Sequence, residues 1–256
     1  MHPAVASLYS GALQFAVGLY LASWITDLRG EVTPGFLRIN AVTAACGALV
    51  ALMVGVSVGG AERLLVQGFA VLAFFVFLQH WLRRGRARLI TGGLLAGIGV
   101  VALILGGVDR PSPILGPGWT ALVSIVSALA LGGSMSALIL GHWYLMTPRL
   151  TARPLKLLCD VTIISLVMLT GVASWYVAFH PETIVLGPRD PVLLWIGLLA
   201  IGVFPIGVTI AARLCCIEWP RGRALQAATG LLYVVATLVL AGALAGNMVV
   251  LGGTTG

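Results

Sequence analysis

Charged side chains are scarce in this sequence. Only 9% of its 256 residues are Asp, Glu, Lys or Arg, whereas a soluble domain carries about 25%. Lysine occurs once, as Lys156, and the 8 acidic residues all fall at or near the ends of hydrophobic runs. A chain that is 59% hydrophobic, with a mean hydropathy of +1.06, cannot bury so much apolar surface inside one soluble domain. The composition therefore predicts an all-α polytopic integral membrane protein.

These absences also exclude several function classes. Ion-coupled carriers usually keep a carboxylate near the middle of the membrane, and no hydrophobic run has one there. A retinal protein needs an intramembrane lysine, which Lys156 at the end of a run does not supply. There is no glycine-rich phosphate loop, nucleophile elbow or metalloprotease histidine pair. The spacing of the cysteines fits no metal site, so we expect reduced, packed thiols at Cys46, Cys159, Cys215 and Cys216.

Eight hydrophobic runs are long enough to cross a bilayer, whose hydrocarbon core of about 30 Å needs about 20 helical residues. None shows the alternation of a membrane β-strand. The first run follows "MHPA" without a basic segment, so we interpret it as a retained helix rather than a signal peptide. The predicted spans are Ala4 to Ile25, Ile39 to Val58, Leu64 to Leu82, Leu89 to Val108, Trp119 to Met146, Leu157 to Phe179, Val192 to Ala212 and Ala224 to Leu251.

Basic residues collect in the loops that follow the odd-numbered runs. By the positive-inside rule these loops are cytoplasmic, and both termini lie on the outer side of a bacterial-type inner membrane. The same asymmetry accounts for the net charge of +7, so no nucleic-acid partner is needed to explain it. The residues that set the orientation are Arg29, Arg38, Arg83, Arg84, Arg86, Arg88, Arg149, Arg153, Lys156, Arg213, Arg221 and Arg223.

The chain also contains an internal repeat. "RGRARLITGGLL", which begins at Arg84, matches "RGRALQAATGLL", which begins at Arg221, and each segment follows the third run of its half. Repeats of this kind indicate duplicated structural units. We therefore predict two four-helix halves, residues 1–113 and 114–256, that run parallel and are related by an axis along the membrane normal.

One stretch, "LILGHWYLMTPRL" from Leu138 to Leu150, concentrates polar aromatic side chains at the end of the fifth run. His142 follows a small-residue stripe, so we expect it inside the bundle near the cytoplasmic surface, with Trp143 and Tyr144 beside it. Side chains from the other cytoplasmic helix ends could complete a site there. The full candidate set is His142, Trp143, Tyr144, His80, Arg149, Asp160 and Glu218.

Two chemistries fit this set, and a third interpretation is purely structural. A quinone headgroup needs hydrogen-bond donors for its carbonyls and a proton path to water, which histidine, tyrosine and a carboxylate can supply. His80 and His142 could instead ligate one b-type haem. Alternatively the aromatic residues only form the belt with which helices meet lipid headgroups.

The layout of eight helices in two parallel fours resembles the quinol-interacting membrane anchor subunits of bacterial respiratory complexes. The resemblance lies in helix number and symmetry, and it implies an electron-transfer or quinone-interacting subunit with other subunits as partners. The repeat and Pro205, which should kink the seventh run, favour a transporter or permease for a neutral or amphiphilic solute. A structural, assembly or lipid-modifying membrane protein is the third class, and the sequence leaves open whether the protein is an enzyme.

The predicted topology can be tested with reporter fusions. A reporter placed after Gly256 should lie outside the cell, and one placed in the "RRGRAR" loop that begins at Arg83 should lie inside, because five predicted spans separate the two positions. A periplasm-specific reporter and a cytoplasm-specific reporter at each position provide the measurement. If both positions report the same compartment, the number of spans between them is wrong.

Overall fold

Eight α-helices form the fold in the computed structural model, which describes residues 3–55, 60–82, 86–110, 112, 115–147, 151–179, 196–216 and 222–252. A five-residue π-helical segment, Leu199–Val203, leads directly into the seventh helix. The helices are α1 (Pro3–Leu28), α2 (Pro34–Val54), α3 (Gly60–Leu82), α4 (Arg86–Asp109), α5 (Gly116–Met146), α6 (Arg153–Phe179), α7 (Phe204–Cys215) and α8 (Gly222–Gly252).

Seven helical segments are long and apolar enough to cross a membrane, and α3 contributes the shorter apolar stretch Arg63–Leu78. Large apolar side chains such as Met53, Phe74 and Phe75 are exposed on the outside of the bundle. Exposed apolar surface of this extent is suited to lipid rather than to water. The all-α, multi-pass part of the sequence prediction is therefore confirmed.

Several helices begin earlier than their hydrophobic runs. α2 begins at Pro34 rather than Ile39, because Pro34 occupies the first turn and the Thr33 hydroxyl caps the helix by accepting a hydrogen bond from the Phe36 N–H at 3.4 Å. α6 begins at Arg153 rather than Leu157. Hydrophobicity marks the part of a helix that lipid can cover, whereas caps and backbone hydrogen bonds decide where the helix ends.

The helices α1 and α5 approach each other closely at two glycines. A Cβ atom added to Gly132 would lie 1.9 Å from the carbonyl carbon of Gly18, and one added to Gly18 would lie 1.8 Å from the carbonyl oxygen of Ala128. The two backbones therefore touch without side chains between them, which only glycine allows. Around this crossing α1 packs against α2, α4 and α8, and α5 packs against α4, α6 and α8.

The predicted small-residue stripe on α5 is a packing surface. A Cβ added to Gly133 would meet the Thr162 hydroxyl of α6 at 2.7 Å, and one added to Gly141 would meet the Thr229 hydroxyl of α8 at 3.1 Å. Gly97 on α4 and Gly246 on α8, in contrast, are exposed and have no neighbouring atom within 4 Å of an added Cβ. Spacing alone does not tell which face of a helix another helix covers.

Buried amides link α1 to its neighbours. Gln14 of α1 and Asn247 of α8 each donate a side-chain N–H to the other's carbonyl oxygen, at 3.3 and 3.0 Å. The Asn40 amide of α2 donates to the hydroxyls of Ser23 and Ser136, both at 2.9 Å. Hydrogen bonds between helices hold membrane bundles together where lipid provides no hydrophobic drive for association.

The helix that contains Pro205 is irregular just before the proline, whereas the predicted kink itself stays a prediction. Proline lacks an N–H, and its ring clashes with the carbonyl four residues before it. The preceding turn is widened into a π-helical segment, in which the Phe204 N–H donates to the carbonyl of Leu199. The residues that define the repeat prediction, Arg84 and Arg221, lie outside the described residues.

Alanine substitutions at the α1–α5 crossing should destabilise the fold. Gly18→Ala or Gly132→Ala places a methyl group against backbone that cannot rotate away, so we expect a loss of about 1–3 kcal/mol in the free energy of unfolding. Gly97→Ala, which meets open space, is the matched control and should be neutral or slightly stabilising. Unfolding in mixed detergent micelles measures the difference, and equal stability of all three variants would contradict the crossing.

Candidate functional site

The sequence candidates whose side chains are described lie at one end of the bundle, which we call the basic end. Here α1 ends at Leu28, α5 ends at Met146, α4 begins at Arg86 and α6 begins at Arg153. Four of the seven candidates have described side chains, namely His142, Trp143, Tyr144 and Asp160. The side chain of His80 and the residues Arg149 and Glu218 lie outside the described part of the chain.

Tyr144 is the candidate that lies inside the bundle. Its side chain is buried in a core cluster with residues of α6 and α7, including Cys159 and Ala212. Its hydroxyl donates to the Thr151 carbonyl at 2.7 Å, so the phenol ties the end of α5 to the start of the next helix. Buried tyrosine usually has such a partner, because an unpaired hydroxyl in an apolar region is costly.

The prediction that His142 lies inside the bundle is wrong. His142 is exposed, whereas Gly141 and Tyr144 on either side of it are buried. One residue rotates the direction of a side chain by about 100° around a helix, and this step carries His142 from the packed stripe to the outer surface. Positions Ala137, Leu140, Gly141 and Tyr144 share the buried face instead, with the spacing expected for one side of a helix.

Trp143 packs against the start of α2 rather than lying free at the headgroup level. A Cβ added to Gly35 would lie 2.3 Å from the Trp143 ring, so the glycine makes room for the indole. The indole N–H of Trp143 is buried without a hydrogen-bond partner among the described residues. Trp24, by comparison, donates its indole N–H to the Leu89 carbonyl at 3.1 Å.

Asp160 forms an ion pair with Arg213 that joins α6 to α7. The guanidinium donates to both carboxylate oxygens, and the Nη2 contact measures 3.2 Å. The two side chains are 39% and 37% exposed. An ion pair with this much solvent contact contributes little to stability, so its geometry matters more than its energy.

Sequence reasoning missed a second and more buried ion pair. Arg88 donates two hydrogen bonds to the Asp27 carboxylate, at 2.8 and 2.5 Å, and joins the end of α1 to the start of α4. The side chains are 17% and 6% exposed. The topology already placed both residues at the same end of the bundle, and that was the only signal available in the sequence. A bidentate pair of this kind fixes both the distance and the angle between its two helices.

Glu31 makes a third connection at the basic end, between two loops. Its carboxylate accepts a hydrogen bond from the Thr151 hydroxyl at 2.9 Å, and the exposed Arg153 guanidinium approaches it at 3.5 Å. Because Tyr144 donates to the carbonyl of the same Thr151, this loop is held from both sides. These contacts therefore hold the two loops of the basic end against each other and against the end of α5.

A cavity of about 340 Å³ lies at the opposite end, where α1 begins and α2 ends. Tyr9 is buried in its wall, and the absence of a side chain on Gly55 lets the phenol ring pack over the end of α2, because a Cβ there would lie 2.5 Å from the ring. The lining consists of Tyr9, Ala51, Leu52, Met53, Gly55, Arg63, Val66 and Gln67. Most of this wall is apolar, with Arg63 and Gln67 as its long polar side chains.

A second arginine lies near the cavity. The guanidinium carbon of Arg110 is 4.9 Å from the centroid of the Tyr9 ring, a distance at which a cation and an aromatic face attract each other. Tyr9 thus has the Gly55 turn on one side and a guanidinium on another. The sequence analysis did not single out this region, because its residues come from three helices and show no pattern along the chain.

No group of three or more His, Cys, Asp or Glu side chains that could hold a metal ion occurs among the described residues. The haem prediction depends on His80, whose side chain lies outside that part of the chain, so it stays a prediction. His142, the other predicted ligand, is exposed.

Known proteins add no further information. No protein-family model, no curated protein and no solved structure matches the chain. The fold alone defines the class, which is a multi-pass α-helical membrane protein.

The two ion pairs should differ in their effect on stability. Asp27→Asn leaves the guanidinium of Arg88 without its charge partner in a buried position, so we expect a loss of about 3 kcal/mol. Asp160→Asn removes the acid of a half-exposed pair and should cost at most about 1 kcal/mol. Both losses are measured as changes in the free energy of unfolding in mixed micelles. An equal or reversed ranking would show that the Asp27–Arg88 pair does not stabilise the fold more than the Asp160–Arg213 pair.

Proposed function

We propose that this protein is a membrane subunit of an electron-transfer complex and that it binds a quinone. The observation that carries the proposal is the cavity at Tyr9, which combines an apolar wall with hydrogen-bond donors at one end of the bundle. Ligand sites in proteins are mostly apolar and contain a few well-placed polar groups. An isoprenoid quinone has the same division between an apolar tail and a polar headgroup.

The lining residues suit both parts of such a ligand. The carbonyl oxygens of a quinone accept hydrogen bonds, and Gln67 and Arg63 carry amide and guanidinium donors. Leu52, Met53 and Val66 offer apolar contact for the ring and the tail. Met53 is also exposed on the outside of the bundle, which is where a molecule dissolved in the membrane would arrive.

The basic end is a second candidate position for the headgroup within the same proposal. His142 is exposed at the end of α5 and could donate to a quinone that arrives from the lipid. Trp143 and Tyr144 follow it in the chain, and Asp160, His80, Arg149 and Glu218 remain part of the proposed set. The tied loops of this end also offer a surface for a partner subunit.

The arrangement in two parallel four-helix halves belongs to this proposal too. It is supported by equivalent packing, since α1 and α5 cross at glycines, α1 packs against α2 and α4, and α5 packs against α6 and α8. The proposed orientation has the basic end in the cytoplasm and both termini outside an inner membrane. It would place the cavity at Tyr9 on the outer side.

A transporter or permease for a neutral or amphiphilic solute is the second candidate function. The π-helical segment that ends before Pro205 favours it, because such widened turns are frequent at functional sites and break the regular hydrogen bonding of a helix. A π-helical segment is also one of the places where a helix can bend.

Photoaffinity labelling with an azido-quinone tests the first function on the full-length protein in lipid nanodiscs. We expect labelled peptides from the cavity wall. Gln67→Leu should reduce labelling by about 2- to 10-fold, as expected for the loss of one hydrogen bond of about 0.5–1.5 kcal/mol. Leu52→Trp should abolish it by filling the cavity. Gln226→Leu, at an exposed position of α8, is the matched control and should label as the wild type does.

The result also distinguishes the two positions. Loss of labelling on His142→Ala, with Gln67→Leu unaffected, would move the quinone site to the basic end. Labelling that excess unlabelled quinone does not reduce, in all variants, would contradict quinone binding. Flux of a neutral solute into proteoliposomes would then favour the transporter.

A further inference from the structure

Two buried thiols from different helices meet at the basic end. Cys159 lies in the second turn of α6 and Cys216 caps the end of α7, and they are 0% and 1% exposed in the same core cluster. Both thiols belong to this cluster, and the Cys216 thiol donates a hydrogen bond to the Ala212 carbonyl at 3.3 Å. The sequence predicts packed thiols but does not indicate that these two share one cluster.

The ion pair between α6 and α7 holds the two helices together next to these thiols. Asp160 directly follows Cys159, and Arg213 lies one helical turn before Cys216. The bidentate contact between the carboxylate and the guanidinium therefore clamps the two helices beside the two sulfur atoms. Cys215 is adjacent in sequence but points about 100° away around the helix, and it is only half-buried.

The surroundings favour one of the two thiols as the reactive one. The hydrogen bond from Cys159 lowers the pKa of the Cys216 thiol, and the positive charges of Lys156 and Arg213 lower it further, although burial acts in the opposite direction. The thiolate is the form of cysteine that attacks an oxidant or a disulfide.

We propose that Cys159 and Cys216 form a redox-active dithiol that is reversibly oxidised to a disulfide between α6 and α7. Oxidation breaks both S–H bonds and forms one S–S bond. The two electrons and two protons pass to a two-electron acceptor of the quinone class, which becomes a quinol. A thiol or phosphine reductant reverses the step. This proposal does not rest on quinone binding at Tyr9, because any membrane-dissolved quinone can serve as the acceptor.

The bond would lock the ends of two helices that are otherwise joined by a half-exposed ion pair. α7 is the helix that follows the widened turn before Pro205. Among the described residues, packing and the Asp160–Arg213 contact hold α7 in the dithiol state, whereas the disulfide state would fix its end to α6. The redox state of the pair thus sets how freely α7 can move.

The test uses the full-length protein in nanodiscs, oxidised either by diamide or by decylubiquinone and then alkylated. We expect a loss of two titratable thiols and a peptide containing Cys159 joined to one containing Cys216, identified by non-reducing mass spectrometry. A phosphine reductant should restore both thiols. Cys215→Ser and Cys46→Ser are the matched controls and should behave as the wild type does.

Cys159→Ser and Cys216→Ser should each keep all of their remaining thiols after oxidation. Peptide mapping of the wild type needs no variant, so it decides the proposal even if one of these variants fails to fold. Retention of all four thiols in the oxidised wild type overturns it. A disulfide that joins Cys215 or Cys46 instead overturns it as well.

Discussion

The contact between the backbones of Gly18 and Gly132 is the constraint on which the rest of the bundle depends. Lipid is as apolar as leucine, so membrane helices associate through close packing and hydrogen bonds rather than through the hydrophobic effect. Because α1 and α5 meet without side chains between them, each brings its remaining faces within reach of further helices. Any residue larger than glycine would separate the two central helices and loosen every contact arranged around them.

Hydrogen bonds and ion pairs between polar groups fix how the helices are oriented relative to one another, which close packing alone does not. Amides bridge α1 to α2, α5 and α8 inside the bundle, through Asn40 and through the Gln14–Asn247 pair. The ion pair of Asp27 with Arg88 sets the relation between α1 and α4 at the basic end. Burying any of these polar groups without a partner would cost free energy. Helix arrangements in which every group has its partner are therefore strongly preferred over arrangements in which one group lacks it. Specificity in this fold therefore comes from a small number of polar contacts superimposed on nonspecific apolar surface.

The sequence predicted the helices well and their faces poorly, for a physical reason. The length of a hydrophobic run is a local property of the sequence, so the multi-pass class could be predicted from it. Which side of a helix is covered by other helices depends on residues far away in the chain. In a membrane both the lipid side and the packed side are apolar, so His142 next to a glycine stripe gave no reliable direction. For the same reason Asp27 with Arg88, and Cys159 with Cys216, were visible as residues but not as pairs.

The two ends of the bundle differ in a way that bears on function. The basic end is closed by ion pairs, a buried phenol and a thiol pair, which together join α1, α4, α5, α6 and α7. The opposite end keeps a cavity whose wall depends on the missing side chain of Gly55. The helix α1 runs between these two ends. Tyr9 in the cavity wall, Gly18 at the crossing and Asp27 in the buried ion pair all lie on this one helix, so a displacement of α1 at the cavity must strain the crossing before it reaches the basic end.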